Sequence, residues 1–161
     1  MAALQWTRYE SREPVAHEET RVRAMAGVTD ILTVGTNPTL GIYLSDLFRR
    51  FGWSVIRTRD CESAIRFLRE NRAAVAVCEE LLPGGGWQDV VARLGSVPDA
   101  PALVVLADDA QLSEVISSGG FDVLTRPLRE ADVVWTIATA WHHWVKRFEE
   151  GENGGARCSD A

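Results

Sequence analysis

A short run of small apolar residues is the feature that most limits how this chain can fold. Residues Ala73 to Cys78 contain no polar side chain, and a strand without polar alternation is typically buried on both faces of a sheet. Two carboxylates, Glu79 and Glu80, follow directly, and Leu81-Leu82-Pro83 with three glycines then predicts a sharp loop. Ligands bind at the carboxyl edge of open parallel sheets. The sequence therefore predicts a site at Glu79.

The rest of the chain alternates between strand and helix patterns. Four further strands are predicted at Ile31–Val34, Trp53–Ile56, Ala102–Leu106 and Phe121–Thr125. Helices are predicted from Pro38 to about Phe51 behind an Asn37 cap, from the Asp60 cap to about Arg72, over Trp87–Leu94, from an Asp108 or Asp109 cap to Gly119, and from about Glu130 to Glu149. Parallel neighbours need right-handed crossovers. The prediction is an α/β domain with a doubly wound, five-stranded parallel sheet and helices on both faces.

The folded pattern does not extend over the whole chain. Residues 1–29 are polar and patternless, which predicts a flexible extension in which Met25 is an alternative start. Residues 30–149 carry the strand and helix patterns, and residues 150–161 predict a flexible, acidic, glycine-rich tail.

Composition excludes several classes of protein. The 161 residues include 17 basic and 23 acidic side chains, and the resulting formal charge of -6 argues against a nucleic-acid partner. Three cysteines without CxxC spacing indicate neither a disulfide framework nor a zinc site. No apolar run approaches the roughly 20 residues of a membrane span. These features predict a cytoplasmic protein without a membrane partner.

Several local strings resemble the receiver domain of bacterial response regulators, over Asp30 to about Phe148. The strongest is Gly119-Gly-Phe-Asp-Val-Leu-Thr-Arg-Pro127, which resembles the fifth-strand signature, and Glu79-Glu-Leu-Leu-Pro83 resembles the end of the phosphoacceptor strand. The resemblance implies flavodoxin-like architecture with strand order 2-1-3-4-5. It also implies a cis bond between Arg126 and Pro127.

Every reactive position departs from the receiver pattern. The resemblance places the acidic pair at Gly35 and Thr36, the phosphoacceptor aspartate at Glu79, and the strand 4 hydroxyl residue at Leu106. It places the strand 5 lysine at Arg126, and the aromatic switch residue at Val123.

These departures predict a degenerate receiver that is not an enzyme and needs neither metal nor cofactor. Mg²⁺ prefers carboxylate ligands, which Gly35 and Thr36 cannot supply, and Leu106 cannot hydrogen-bond an acyl phosphate. Two interpretations of Glu79 stay open: a bidentate ion pair with Arg126, or a solvated carboxylate at the start of a loop.

The predicted function is phosphorylation-independent protein binding in a signalling pathway. One alternative is a flavodoxin-like protein that binds FMN or another small ligand, because Gly35-Thr-Asn-Pro-Thr39 faintly resembles a flavin-phosphate loop. The other alternative is an atypical receiver that is still phosphorylated in a phosphorelay.

The last helix predicts an interface. Trp141, Trp144 and Phe148 continue a seam of apolar residues toward its C-terminal end. A helix of about 20 residues is longer than the strands it covers, so its last turns are expected to overhang the sheet. Trp144 and Phe148 would then need cover from a second subunit or from the N-terminal extension, which makes a homodimer one of the predicted partners.

Overall fold

The structure is a computed structural model that describes the backbone of residues 28–158 and the side chains of residues 28–150. The five strands of the main sheet alternate with five α-helices along this part of the chain. They are β1 (Thr29–Val34), α1 (Pro38–Arg50), β2 (Val55–Thr58), α2 (Cys61–Glu70), β3 (Ala73–Glu79), α3 (Trp87–Leu94), β4 (Ala102–Leu106), α4 (Leu112–Ser118), β5 (Asp122–Leu124) and α5 (Glu130–Cys158). A short 3-10 turn, Asp109–Gln111, precedes α4.

The five strands form one parallel sheet in the order β2-β1-β3-β4-β5. Strand β3 lies at its centre, where Val75 is paired with Ile31 of β1 and with Ala102 of β4. The predicted fold class and strand order are therefore confirmed.

Two apolar cores cover the two faces of the sheet. The first joins α1 and α5 to strand residues such as Val75 and Val77. The second joins α2, α3 and α4 to alternate strand residues such as Ala76 and Cys78. From Val75 to Cys78, successive residues of β3 point into opposite cores, which explains why these positions are apolar.

Trp144 and Phe148 of α5 are covered by their own domain. Trp144 is 1% exposed and Phe148 8% exposed; the two rings stack with centroids 5.1 Å apart. The Trp144 Nε1–H donates to the Asp99 carbonyl oxygen at 3.0 Å. The Arg72 guanidinium lies 5.1 Å from the Phe148 ring centroid and 3.2 Å from the Asp99 carboxylate. The prediction that Trp144 and Phe148 need cover from outside the domain was wrong, because Arg72 and the loop before β4 pack against these rings.

Trp141 is also a core residue, and it ties α5 to the start of β1. Its Nε1–H donates to Asp30 Oδ1 at 3.2 Å. The other carboxylate oxygen, Oδ2, accepts from the Ser54 amide at 2.8 Å and the Ser54 hydroxyl at 3.1 Å. Because the Asp30 carboxylate is buried, these donors replace the water that it would otherwise bind. Trp141, like Trp144 and Phe148, is therefore not available as an interface residue.

Several element boundaries differ from the prediction. Strand β1 begins at Thr29 rather than Ile31, so the last residue of the predicted flexible extension belongs to the sheet. Strand β2 begins at Val55 rather than Trp53, because the Trp53 amide donates to the Phe48 carbonyl oxygen at 3.0 Å and its ring packs on Phe48 and Phe51. Helix α5 continues to Cys158, past its predicted end at Glu149 and through much of the predicted flexible tail. An established helix gains one hydrogen bond for each residue added.

The remaining predictions about the chain ends lie outside the described residues. These are the flexible extension before residue 28 and the alternative start at Met25. Within residues 28–158, no helix is long and apolar enough to cross a membrane.

Candidate functional site

The predicted site lies at the carboxyl edge of the sheet. The ends of β3, β4 and β5 meet there around an open cleft of about 230 Å³, which is lined by Glu79, Glu80, Leu81, Leu106, Ala107, Asp108 and Arg126. The topology thus brings together Glu79, Leu106 and Arg126, three of the positions that the resemblance singled out.

The Glu79 carboxylate is directed to the beginning of α1. Its Oε2 atom accepts a hydrogen bond from the Asn37 amide at 3.1 Å. The same carboxylate lies directly over Gly35, where an added Cβ atom would be 1.6 Å from Oε2. Glu79 therefore occupies space next to the position at which the receiver pattern has its acidic pair.

The predicted ion pair between Glu79 and Arg126 is absent from the described residues. The side chain of Arg126 is exposed, and no nitrogen of it lies within 4.0 Å of the Glu79 carboxylate. The ion-pair interpretation was based only on the fact that Glu79 and Arg126 lie at the same edge of the sheet. The sequence does not show that the Asn37 amide and the space above Gly35 hold the Glu79 carboxylate on the β1 side.

The second carboxylate, Glu80, takes part in a separate hydrogen-bond network. The Gln111 side-chain amide donates to Glu80 Oε1, and Gln111 Oε1 accepts from the Trp87 Nε1–H at 3.1 Å. Trp87 is completely buried. Gln111 was not predicted as a site residue, because no local pattern indicates a contact with residues so distant in sequence.

The glycines after Glu80 form a defined turn. Leu81–Leu82 and Gly85–Gly86 make a two-residue antiparallel ladder, and the Gly86 amide donates to Asp89 Oδ2 at 3.1 Å. Gly84 has a φ of 80°, a conformation that glycine adopts without strain. This turn sets the direction in which the chain leaves Glu80.

The other candidate positions carry little reactive chemistry. Thr36 is exposed and Gly35 half-buried, so neither contributes a carboxylate. Leu106 is buried and Val123 half-buried, and both are apolar. The Arg126–Pro127 bond is cis, as the resemblance implies. Within residues 28–150, no group of three or more His, Cys, Asp or Glu side chains is placed to hold a metal ion.

The cysteine beside the site is inert. Burial raises the pKa of the Cys78 thiol to about 12, and the thiol donates to the Glu79 carbonyl oxygen at 3.1 Å. Because the thiolate is the reactive form of cysteine, Cys78 acts as a small apolar residue of the second core.

Comparisons with known proteins agree with the fold and the sequence pattern. No protein-family model matches the chain. A Mycobacterium tuberculosis protein named Probable transcriptional regulatory protein TcrX is 32% identical over 115 residues, which cover 70% of this chain and 49% of that protein. Sensory transduction protein RegX3 of Mycolicibacterium smegmatis is 24% identical over 131 residues, which cover 80% of this chain and 56% of that protein.

Solved structures show the same fold. The signal receiver domain of a histidine kinase from Syntrophus aciditrophicus superposes with a TM-score of 0.63 at 20% identity, covering 71% of this chain and 91% of that domain. Together these comparisons show that the described residues form a response-regulator receiver domain. The chain spans about half the length of the two curated relatives named above.

Proposed function

We propose that this receiver domain works in two-component signalling through protein binding that does not depend on phosphorylation. The observation that carries the proposal is the position of the Glu79 carboxylate, which accepts a hydrogen bond from the Asn37 amide above Gly35. The side chain at the phosphoacceptor position is thus engaged with its own protein.

Metal-dependent phosphoryl transfer needs groups that this site does not supply. A divalent cation has to neutralise charge between the phosphoryl donor and the acceptor carboxylate, and oxygen ligands have to hold it. Gly35 and Thr36 provide no carboxylate, and Leu106 provides no hydroxyl for the transferred group. Arg126 is a cation at the same edge, but a fixed positive charge does not replace a ligand set for Mg²⁺.

The proposed role in the pathway is that of a non-enzymatic regulator. The names of the two relatives refer to transcriptional regulation and to sensory transduction. We extend from them only the signalling role, with a protein as the binding partner and with no cofactor. The FMN alternative gains no support, because the Asn37 amide that could bind a flavin phosphate already donates to Glu79.

We expect Mg²⁺ to leave the site unchanged. Amide NMR signals of Gly35, Asn37 and Glu79 should not shift as MgCl₂ is raised into the millimolar range, because among residues 28–150 no three acidic, His or Cys side chains are placed to hold the cation. Titration with NaCl at matched ionic strength controls for screening. Saturable shifts of these three signals at sub-millimolar MgCl₂ would contradict the proposal.

A second copy of the chain is the partner that the exposed surface fits best. Large apolar residues are exposed on the two helices that pack against the edge strand β5: Leu112 and Ile116 on α4 and Trp135 on α5, with Trp135 65% exposed. We call these three residues the β5-edge surface. Both helices also present exposed acidic residues, Glu114 and Asp132, and the exposed Arg129 precedes α5. A surface with both charge signs can be complementary to itself, as a twofold dimer requires.

The dimer is tested by substituting the exposed tryptophan. We expect light scattering to show concentration-dependent association of the parent, and Trp135→Ser to weaken it at least tenfold, because Trp is a frequent interface anchor. Leu81→Ser is the matched control, since Leu81 is 77% exposed on the turn after β3. A monomeric parent at high micromolar concentration, or equal effects of the two variants, would contradict the dimer.

A further inference from the structure

We infer that Glu79 is a tethered ligand for the N-terminus of α1 and that Gly35 is glycine in order to receive it. The two positions then form an interdependent pair: Gly35 has a φ of 159°, so a side chain at position 35 is strained in any background, and it destabilises the protein further when the glutamate at position 79 is present. This inference deepens the proposed function, on which it rests, because it explains what the carboxylate does in place of phosphoryl transfer.

Glu79 fills the space that a side chain at position 35 would need. A Cβ atom added at Gly35 would lie 1.6 Å from Oε2, 2.2 Å from Cδ and 2.6 Å from Cγ of Glu79. All three distances are shorter than non-bonded contact, and attractive contacts between heavy atoms begin near 3.5 Å. Any side chain at position 35 must therefore displace the entire carboxylate group.

Glu79 also binds one of the amides at the start of α1. Pro38, the first helical residue, has no N–H group, and Asn37 Oδ1 accepts from the Leu40 amide at 3.2 Å. The Asn37 amide itself donates to Glu79 at 3.1 Å. Two side-chain acceptors thus bind amides at this helix end, one from the cap residue and one from the neighbouring strand β3.

Glu79 also brings a negative charge to the N-terminus of α1. Helix N-termini favour negative charge, which is commonly supplied by Asp or Glu in the first turn. The first turn of α1 contains no acidic residue. Glu79, which lies 42 positions further along the chain, supplies the negative charge from the adjacent strand. The extra methylene of glutamate, compared with aspartate, lengthens the reach of the carboxylate toward this amide.

A double-mutant cycle tests the pair by thermal unfolding of the full chain. The four proteins are the parent, Gly35→Ala, Glu79→Ala and the double variant. We expect Gly35→Ala to lower Tm by about 5 °C or more in the parent, and by less than half as much in the Glu79→Ala background. Thr36→Ala is the matched control, since Thr36 is the exposed neighbour of Gly35, and its effect should be small and equal in both backgrounds.

A second measurement covers the case in which Gly35→Ala does not fold. In Glu79→Ala, the amide NMR signal of Asn37 should shift, whereas that of Leu40, which donates to the Asn37 side chain, should stay in place. An unchanged Asn37 signal would overturn the inference. An equal decrease in Tm for Gly35→Ala in both backgrounds would also overturn the inference. The backbone conformation of Gly35 alone would then explain the destabilisation.

The outcome is separable from that of the proposed function. The cycle contains neither Mg²⁺ nor a phosphoryl donor, so it measures only the contact between positions 35 and 79. If the parent accepts a phosphoryl group and the cycle still shows coupling, the proposed function fails and the paired positions stand. If the effects of the two substitutions are additive and the parent accepts no phosphoryl group, the inference about positions 35 and 79 fails and the proposed function stands.

Discussion

Replacing Trp144 by alanine is expected to lower the free energy of unfolding by about 3–5 kcal/mol, the usual cost of truncating a buried aromatic side chain. The indole is almost completely buried and stacks on Phe148, so its removal leaves a cavity in the first core. The Asp99 carbonyl oxygen also loses its donor. Urea unfolding followed by circular dichroism measures the change through the shift in midpoint.

Trp135→Ala is the matched control for Trp144→Ala. Both residues lie on α5, but Trp135 is 65% exposed, and substitutions of this kind usually change stability by less than about 0.5 kcal/mol. Both variants are compared at low protein concentration, where self-association contributes little. If Trp144→Ala were neutral while Trp135→Ala destabilised the protein, the assignment of the two faces of α5 would be wrong.

The sheet could be predicted from the sequence because its signals are local and mutually consistent. Ala73 to Cys78 has no polar residue, and the structure buries all six positions. Asn37 and Asp60 were predicted as helix caps, and their side chains accept from the amides of Leu40 and Ser63. Each of these features depends on residues only a few positions apart, so the pattern alone determines them.

The errors arose where the outcome depends on contacts between distant segments. Trp144 was expected to need cover from a second subunit or from the N-terminal extension, because helix length and strand length were compared without the path of the loop before β4. That loop brings the Asp99 carbonyl oxygen to the indole, and Arg72 lies over Phe148. Neither contact leaves a periodic signal in the sequence.

At the candidate site, too, the sequence predicted the position of the residues but not the contacts between distant segments. The sequence placed Glu79 and Arg126 at one edge of the sheet, and the structure does so too. The direction of the Glu79 side chain depended instead on the space over Gly35 and on the Asn37 amide. Gly35 was interpreted as a lost carboxylate and as part of a possible flavin-phosphate loop, whereas its missing Cβ atom makes room for the carboxylate of Glu79.

We propose that this receiver domain is not phosphorylated at Glu79. Four positions remove three requirements of the reaction: Gly35 and Thr36 both lack carboxylates for a cation, Leu106 lacks a hydroxyl, and Glu79 is engaged with the Asn37 amide. A phosphoryl group that never binds cannot shift the balance between two conformations. The domain is therefore expected to present one signalling state to its partner.

A variant that carries Gly35→Asp, Thr36→Asp and Glu79→Asp together supplies the complementary comparison. It replaces the missing carboxylates and also shortens the side chain that a residue at position 35 would meet. Phosphoryl acceptance by this variant would show that the fold still supports the reaction. Leu106 would still lack a hydroxyl to bind the transferred group.

The most direct measurement is the intact mass of the parent protein after incubation with acetyl phosphate and MgCl₂. A receiver that retains the aspartate and the acidic pair is treated in parallel, which shows that the reagent is active. We expect the mass of the parent to stay unchanged while the control receiver gains a phosphoryl group. A phosphoryl mass that appears on the parent and is absent from Glu79→Gln would contradict this account.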